Sequence, residues 1–167
     1  MFTKEQLKAQ LAEMGLKSTD TVLIHTSLRA IGPVENGVDG VIDAFCEYLS
    51  DGLFIVPTHT WGSVSPAKPV YDVRTEMPCI GIVPKVAAFR KDGIRSLHPT
   101  HSMAVFGNGA AEFAAGEELQ TTPAHPNGCY GKIFDRDGCI LLVGVGHQRN
   151  TYLHCVDEIL GVPNRIT

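Results

Sequence analysis

Four short apolar runs, each emptying into a polar loop, constrain this chain more than any other feature: TVLIHTS, GLFIVPTHT, SMAVFG and GCILLVGVG. Each is bounded by glycine, proline or small polar residues and is too short for a buried helix, so each reads as a strand. Stretches of helical period lie around them. Thr3 precedes Leu7, Leu11 and Met14, with Gly15 as the stop, and Val38, Val41, Ile42 and Phe45 mark a second helix. IGIVPKVAAFRK predicts a helix after Pro84, NGAAEFAAGEEL one capped by Asn108, and NTYLHCVDEIL one starting near Asn150 or Thr151. Strands alternating with helices predict an α/β fold with a mixed or mostly parallel central sheet flanked by helices. GCILLVGVG reads as the clearest buried strand, and WGSVSPAKPVYDVRTEMPC, rich in proline, glycine and serine, as an ordered loop.

No repeat, low-complexity tract or linker divides the 167 residues, a length that suits one domain. With 44% hydrophobic and 19% charged residues the chain can pack a core. A formal charge of −4 argues against nucleic-acid binding through a basic face and slightly favours a cationic or neutral partner. No run approaches the roughly 20 apolar residues of a membrane helix, and MFTKEQLKAQLAEMG is charged and amphipathic, unlike a signal peptide. Five cysteines without a CxxC pair read as free thiols, so the expected setting is the cytoplasm.

The polar residues collect just beyond three strands, at His25 to Ser27, Thr58 to Trp61 and His147 to His154. Ligands of open α/β sheets sit outside the strand carboxyl ends, so these three edges point to one cleft. On a helix, residues three and four apart share a face, which lines up Thr151, His154 and then Asp157 and Glu158. A carboxylate beside an imidazole fixes its tautomer and raises its basicity, as a general base requires. The same spacing describes a plain amphipathic helix with equal force. Cys155 points about 100° away from His154 and reads as a core residue rather than a nucleophile.

RSLHPTHSMAVFG places Arg95, Ser96, His98, His101 and Ser102 around Pro99. Two histidines three apart, completed by His25, His59 or His125, would make a metal-dependent hydrolase conceivable, but Arg95 among hydroxyls suits a phosphate-bearing ligand better. GxxxxGK[ST] and GxSxG are both absent, and GVGHQRN carries only a bare GxG.

The segments VLIHTSLRAIG, IVPTHTWG, RSLHPTHSMAVFG, TPAHPNGCYGKI and LLVGVGHQRNTYLHCVDE, in this order, resemble the aminoglycoside 3-N-acetyltransferase family, an acetyl-CoA-dependent group distinct from the GNAT fold. The resemblance covers essentially the whole chain. It implies acetyl transfer from acetyl-CoA, as co-substrate, to the 3-amino group of a 2-deoxystreptamine aminoglycoside or a related amine, with no metal. The family pattern T-x-x-H-x-x-E falls on Thr151, His154 and Asp157. His154 is then the implied general base, a carboxylate holds its ring, and Thr151 assists at the developing oxyanion. Asp157 stands where the family usually carries glutamate, which leaves Glu158, one position on, as the other acid. Thr26, Ser27 and Leu28, with Thr58, Thr60, Arg95, Ser96 and Ser102, are the implied CoA-side residues. Members of the family run on further, so residues 1–167 read as a domain lacking the family's C-terminal portion, and a CoA-binding remnant without turnover is the competing reading.

Overall fold

The computed structural model describes residues 1–163. Its first helix forms where the capping signal predicts. The Thr3 hydroxyl accepts the Gln6 amide at 3.2 Å while the Gln6 side chain accepts the Thr3 amide at 2.9 Å, a reciprocal cap on α1 (Lys4–Glu13). The chain continues through β1 (Thr21–Thr26), α2 (Leu28–Ile31), α3 (Gly37–Tyr48), β2 (Leu53–Pro57), α4 (Ile82–Ala87), β3 (Ile94–Arg95) and β4 (Met103–Gly107). It closes with α5 (Ala110–Ala114), α6 (Cys129–Asp135), β5 (Cys139–Val143) and α7 (Leu153–Ile159), with 3-10 turns at Glu117–Leu119 and His147–Arg149.

The strands form one mixed sheet in the order β3-β4-β2-β1-β5. β1 runs parallel to both β2 and β5, while β4 runs antiparallel to β2 and β3. Alternate residues of each strand serve opposite faces. Val22, Ile24, Phe54, Val56 and Phe106 pack with α1, α3 and α4, where the rings of Phe45, Phe54 and Phe106 stack at 4.7 and 5.7 Å. Leu23, Ile55, Met103 and Val105 pack on the other face against Phe113, Tyr130, Ile133 and Cys155. Both sides of the sheet are therefore covered, as the expected layering requires.

Several local readings need correction. β5 is half-buried along its whole length rather than the deepest strand, because it is an edge strand bonded only to β1. α4 starts at Ile82, so Pro84 sits inside the first turn, where its missing N–H has no intrahelical partner to lose. α5 is capped by Gly109 at φ +88°, a left-handed conformation that favours glycine, and not by Asn108; it stops at Ala114 and the chain turns again at Glu117. α7 starts at Leu153, two residues beyond Thr151. The short strand β3 and the helix α6 carry too little periodicity to stand out in the sequence. No helix among the described residues is long and apolar enough to cross a membrane.

Removing the α1 cap by Thr3→Ala will destabilise the fold by about 1 kcal/mol. Thermal unfolding should show this as a fall in Tm of about 2–4 °C.

Candidate active site

Because β1, β2 and β5 run parallel, their carboxyl ends reach one edge of the sheet. β1 has β2, the next strand in the chain, on one side and β5 on the other, which makes its end a switch point of the topology. An open cleft of about 1120 Å³ lies there, lined by Thr26–Leu28 after β1, Pro57 and His59 at β2, and Gly144, Gln148, Arg149 and Thr151 after β5. The far wall comes from Trp61 and residues Cys79–Pro84. The three polar edges read from the sequence do meet. The Ser27 amide donates to the Val143 carbonyl at 2.9 Å, and a Cβ on Gly144 would stand 2.4 Å from the Ala30 Cβ, so glycine is what lets the two chains close at this point.

The chain reaches α7 through a turn in which the Asn150 side chain accepts the Tyr152 amide at 3.1 Å. Three side chains then pin the helix. The Thr151 hydroxyl is bonded to the Tyr130 hydroxyl at 2.7 Å. Cys155 is fully buried in the core cluster, where burial pushes its thiol up to about 11. The Glu158 carboxylate accepts from the Thr122 hydroxyl and from the Ala124 amide. With those residues turned inward, His154 is exposed to solvent. Thr151 thus lies in the turn before α7, while His154, Asp157 and Glu158 lie on it, so the expected face of four residues does not sit on a single helix; Asp157 is half-buried.

Four other histidines, His25, His59, His98 and His101, gather behind α7, and His59 and His101 lie near enough to feel His154. The His59 and His101 rings lie 4.4 Å apart, and His98 meets His101 edge-on at 5.9 Å. Burial, with His101, His25, His98 and His154 adding like charge, holds His59 well below its ordinary range. His101 is pulled to about 4 by burial and by His98 and His154. His25, on β1, is pulled to about 4 by burial alone, and its Nε2 is buried with no hydrogen-bond partner among the described residues. Burial lowers His98 too, against the opposing Thr122 backbone contact and the Glu158 charge. Its Nδ1 accepts the amides of Thr100 and His101 at 3.2 and 3.0 Å, so the His-Pro-Thr-His turn is closed on itself. Among the described residues no group of three His, Cys, Asp or Glu side chains is placed to hold a metal ion.

The eight CoA-side candidates divide sharply. Thr26, Ser27 and Leu28 line the cleft. Thr58, Thr60, Arg95, Ser96 and Ser102 are buried and bonded inside the protein. The Thr58 and Ser102 hydroxyls meet at 2.8 Å, Thr60 donates to the Pro99 carbonyl, and the Ser96 hydroxyl accepts the Met103 amide at 2.9 Å. Arg95 is the hub. Its guanidinium donates to the carbonyls of Thr58, Val73 and Glu76 and to the hydroxyls of Thr58 and Ser102, between the rings of Tyr71 and Phe89. These contacts are why the long segment after β2, which has almost no regular structure, is ordered. Tyr130, Thr122 and the wall from Cys79 to Pro84 escaped the sequence reading; the stretch around TPAHPNGCYGKI held the first two without a spacing that would mark them.

Two outcomes follow from this geometry. Arg95→Lys keeps the charge but loses the fork, and should destabilise the ligand-free protein by about 3 kcal/mol in urea unfolding. The buried histidines give stability a pH slope. His25 and His101 titrate near 4 when folded and near 6.5 when unfolded, so the unfolded chain binds more protons between those values. Stability is full above about 6.5 and is lost as the pH falls towards about 4. The urea midpoint should therefore drop between pH 7 and 5, and His101→Gln should flatten that slope.

Comparison with known proteins agrees with the geometry. The family model for aminoglycoside 3-N-acetyltransferase matches residues 23–167. Aminoglycoside N(3)-acetyltransferase IV from Salmonella sp is 30% identical over 163 residues, covering 97% of this chain and 61% of that protein. Aminoglycoside N(3)-acetyltransferase IX from Micromonospora chalcea is 28% identical over 186 residues, covering 98% and 64%. Among solved structures, the apoenzyme of aminoglycoside acetyltransferase AAC(3)-IVa superposes with a TM-score of 0.87 at 29% identity, over 97% of this chain and 62% of that one. AAC-VIa bound to sisomicin superposes with a TM-score of 0.81 at 27% identity, over 92% and 63%. The chain spans about three fifths of the length of the relatives it matches.

Proposed function

Since the chain belongs to the aminoglycoside 3-N-acetyltransferase family, we propose that it carries an acetyl group from acetyl-CoA to the 3-amino group of a 2-deoxystreptamine aminoglycoside or a related cationic amine. One observation carries the reading: an exposed imidazole, His154, on a helix pinned by three inward side chains, three residues after Thr151, which lines the cleft at the switch point of the sheet. Similar proteins solved with a gentamicin and with sisomicin support an aminoglycoside as the acceptor. Thr26, Ser27 and Leu28 are the proposed contacts for acetyl-CoA. The other five candidates serve the site by holding its wall.

The amine is the nucleophile. Its nitrogen attacks the thioester carbonyl while His154 takes the proton released from nitrogen. The carbonyl oxygen gains negative charge and accepts a hydrogen bond that the Thr151 hydroxyl donates. The tetrahedral intermediate collapses by breaking the C–S bond, and the proton held on His154 returns to the departing thiolate. Amide and free CoA result, with every proton accounted for and no acyl-enzyme formed. Of the two acids, Glu158 lies one helical turn beyond His154 and has its carboxylate fixed by Thr122 and Ala124, so we assign it the orienting role. Asp157 holds the family's pattern position. Five free cysteines and an acetyl-CoA co-substrate fit a reducing, cytoplasmic setting.

Thiol release from acetyl-CoA with a panel of aminoglycosides tests the reading; no release above background with any acceptor refutes it. His154→Ala should lower kcat by about 10²–10⁴-fold with little change in KM. Glu158→Gln should lower it by more than Asp157→Asn does, and the reverse order moves the orienting role to Asp157. Trp61 is the single tryptophan of the chain and lines the cleft, so CoA binding should change its fluorescence independently of turnover.

A further inference from the structure

Three neutral groups form a continuous chain along the cleft wall, from a nearly buried histidine to a half-buried threonine. His59 Nε2 lies 3.1 Å from the Tyr130 hydroxyl, and that hydroxyl lies 2.7 Å from Thr151 Oγ1. His59 and Tyr130 are each about 1% exposed, whereas Thr151 is half-buried and faces the cleft. We propose that Tyr130 is a positioning residue, and that the chain His59–Tyr130–Thr151 runs in one fixed direction which turns the Thr151 hydroxyl proton into the cleft. The proposal rests on the acetyl-transfer reading for its catalytic meaning, since the proton is aimed where the acyl oxygen becomes an anion.

Proton counting leaves two arrangements. Burial keeps the phenol protonated and the imidazole neutral, and among the described residues the Tyr130 hydroxyl has no acceptor besides His59 and Thr151, so each bond in the chain contains one proton and the sense of the first fixes the sense of the second. In one arrangement His59 Nε2–H donates to Tyr130, Tyr130 donates to Thr151, and the threonine proton is left over for the cleft. In the other, Thr151 donates to Tyr130 and Tyr130 to a bare Nε2, so threonine shows only lone pairs to a ligand. Only the first can stabilise an oxyanion. The 3.1 Å separation at His59 lies within the ordinary N–H···O range, so an Nε2–H donor fits the geometry. The tautomer of one core histidine, with no atom at the reacting centre, then decides whether Thr151 is a donor there.

Two measurements test this. In ¹⁵N-labelled protein, two-bond ¹H–¹⁵N correlation spectra read the His59 tautomer, with His59→Gln supplying the assignment. An Nε2–H imidazole is expected, and an Nδ1–H imidazole overturns the proposal whether or not the protein turns over. In kinetics, Tyr130→Phe should lower kcat about tenfold with KM for both substrates unchanged, less than the roughly 10²–10³-fold of losing an oxyanion-hole donor outright, because the Thr151 hydroxyl stays in place. Thr151→Val should cost more, Thr151→Ser should restore most of kcat, and Tyr130→Phe should add nothing in the Thr151→Val background. An unchanged kcat in Tyr130→Phe, or additive losses in the pair, overturns the proposal. If the unsubstituted protein shows no turnover, the acetyl-transfer reading fails and the tautomer alone decides the direction of the chain.

Discussion

The cleft depends on a guanidinium that, among the described residues, forms no ion pair with a carboxylate. Arg95 sits on a two-residue strand with its charge spread over three carbonyls, two hydroxyls and two aromatic faces. An ammonium could not reach those acceptors together, because it lacks the planar fork. Through them the edge of the sheet grips a stretch of more than twenty residues that would otherwise have few reasons to be ordered. The stretch leads from Trp61 to the wall at Cys79–Pro84, and from there into α4. A second arginine fastens the far end: Arg90, just after α4, pairs with Asp39, Asp43 and Asp92 and so ties that exit to α3. One side of the cleft is thus built from cations holding backbone and loops.

The opposite side is built differently. α7 is seven residues long, too short to be stable by its own hydrogen bonds, and its place is set by side chains reaching into other elements. Cys155 enters the core, Glu158 reaches the loop at Thr122–Ala124, and Thr151 reaches Tyr130 on α6. The consequence for His154 is that its position is inherited. It stands at the surface because Cys155, one residue on, enters the core, while Thr151 and Glu158, three before and four after, are held by Tyr130 and by Thr122 and Ala124.

How much of this could be read beforehand follows from the kind of signal each part leaves. Strands and helices with a full apolar stripe, such as β1 and α3, announced themselves, and Thr3 announced its helix through a local cap. Cys155 could be assigned to the core from its angular distance to His154. The convergence of three strand ends was legible because parallel strands share an edge. Burial of β5 was misjudged because hydrophobicity reports composition, while edge or centre is decided by which strand pairs with which. Arg95, Thr58 and Ser102 looked like ligand contacts for a similar reason: hydroxyls and a guanidinium carry the same chemistry whether they serve a phosphate or a carbonyl far along the chain. Tyr130 left no signal at all, since its partners His59 and Thr151 are 71 and 21 positions distant.

The two walls also differ in what protons do to them. The acceptors around Arg95 are carbonyls and hydroxyls, none of which titrates between pH 4 and neutrality, whereas the wall behind α7 is backed by imidazoles held uncharged by burial and by one another. Mild acid therefore acts on one half of the molecule. Amides of α7 and of the His98–His101 turn would lose protection from hydrogen exchange first, while those gripped by Arg95 hold, so the cleft comes apart as two separate units rather than as one.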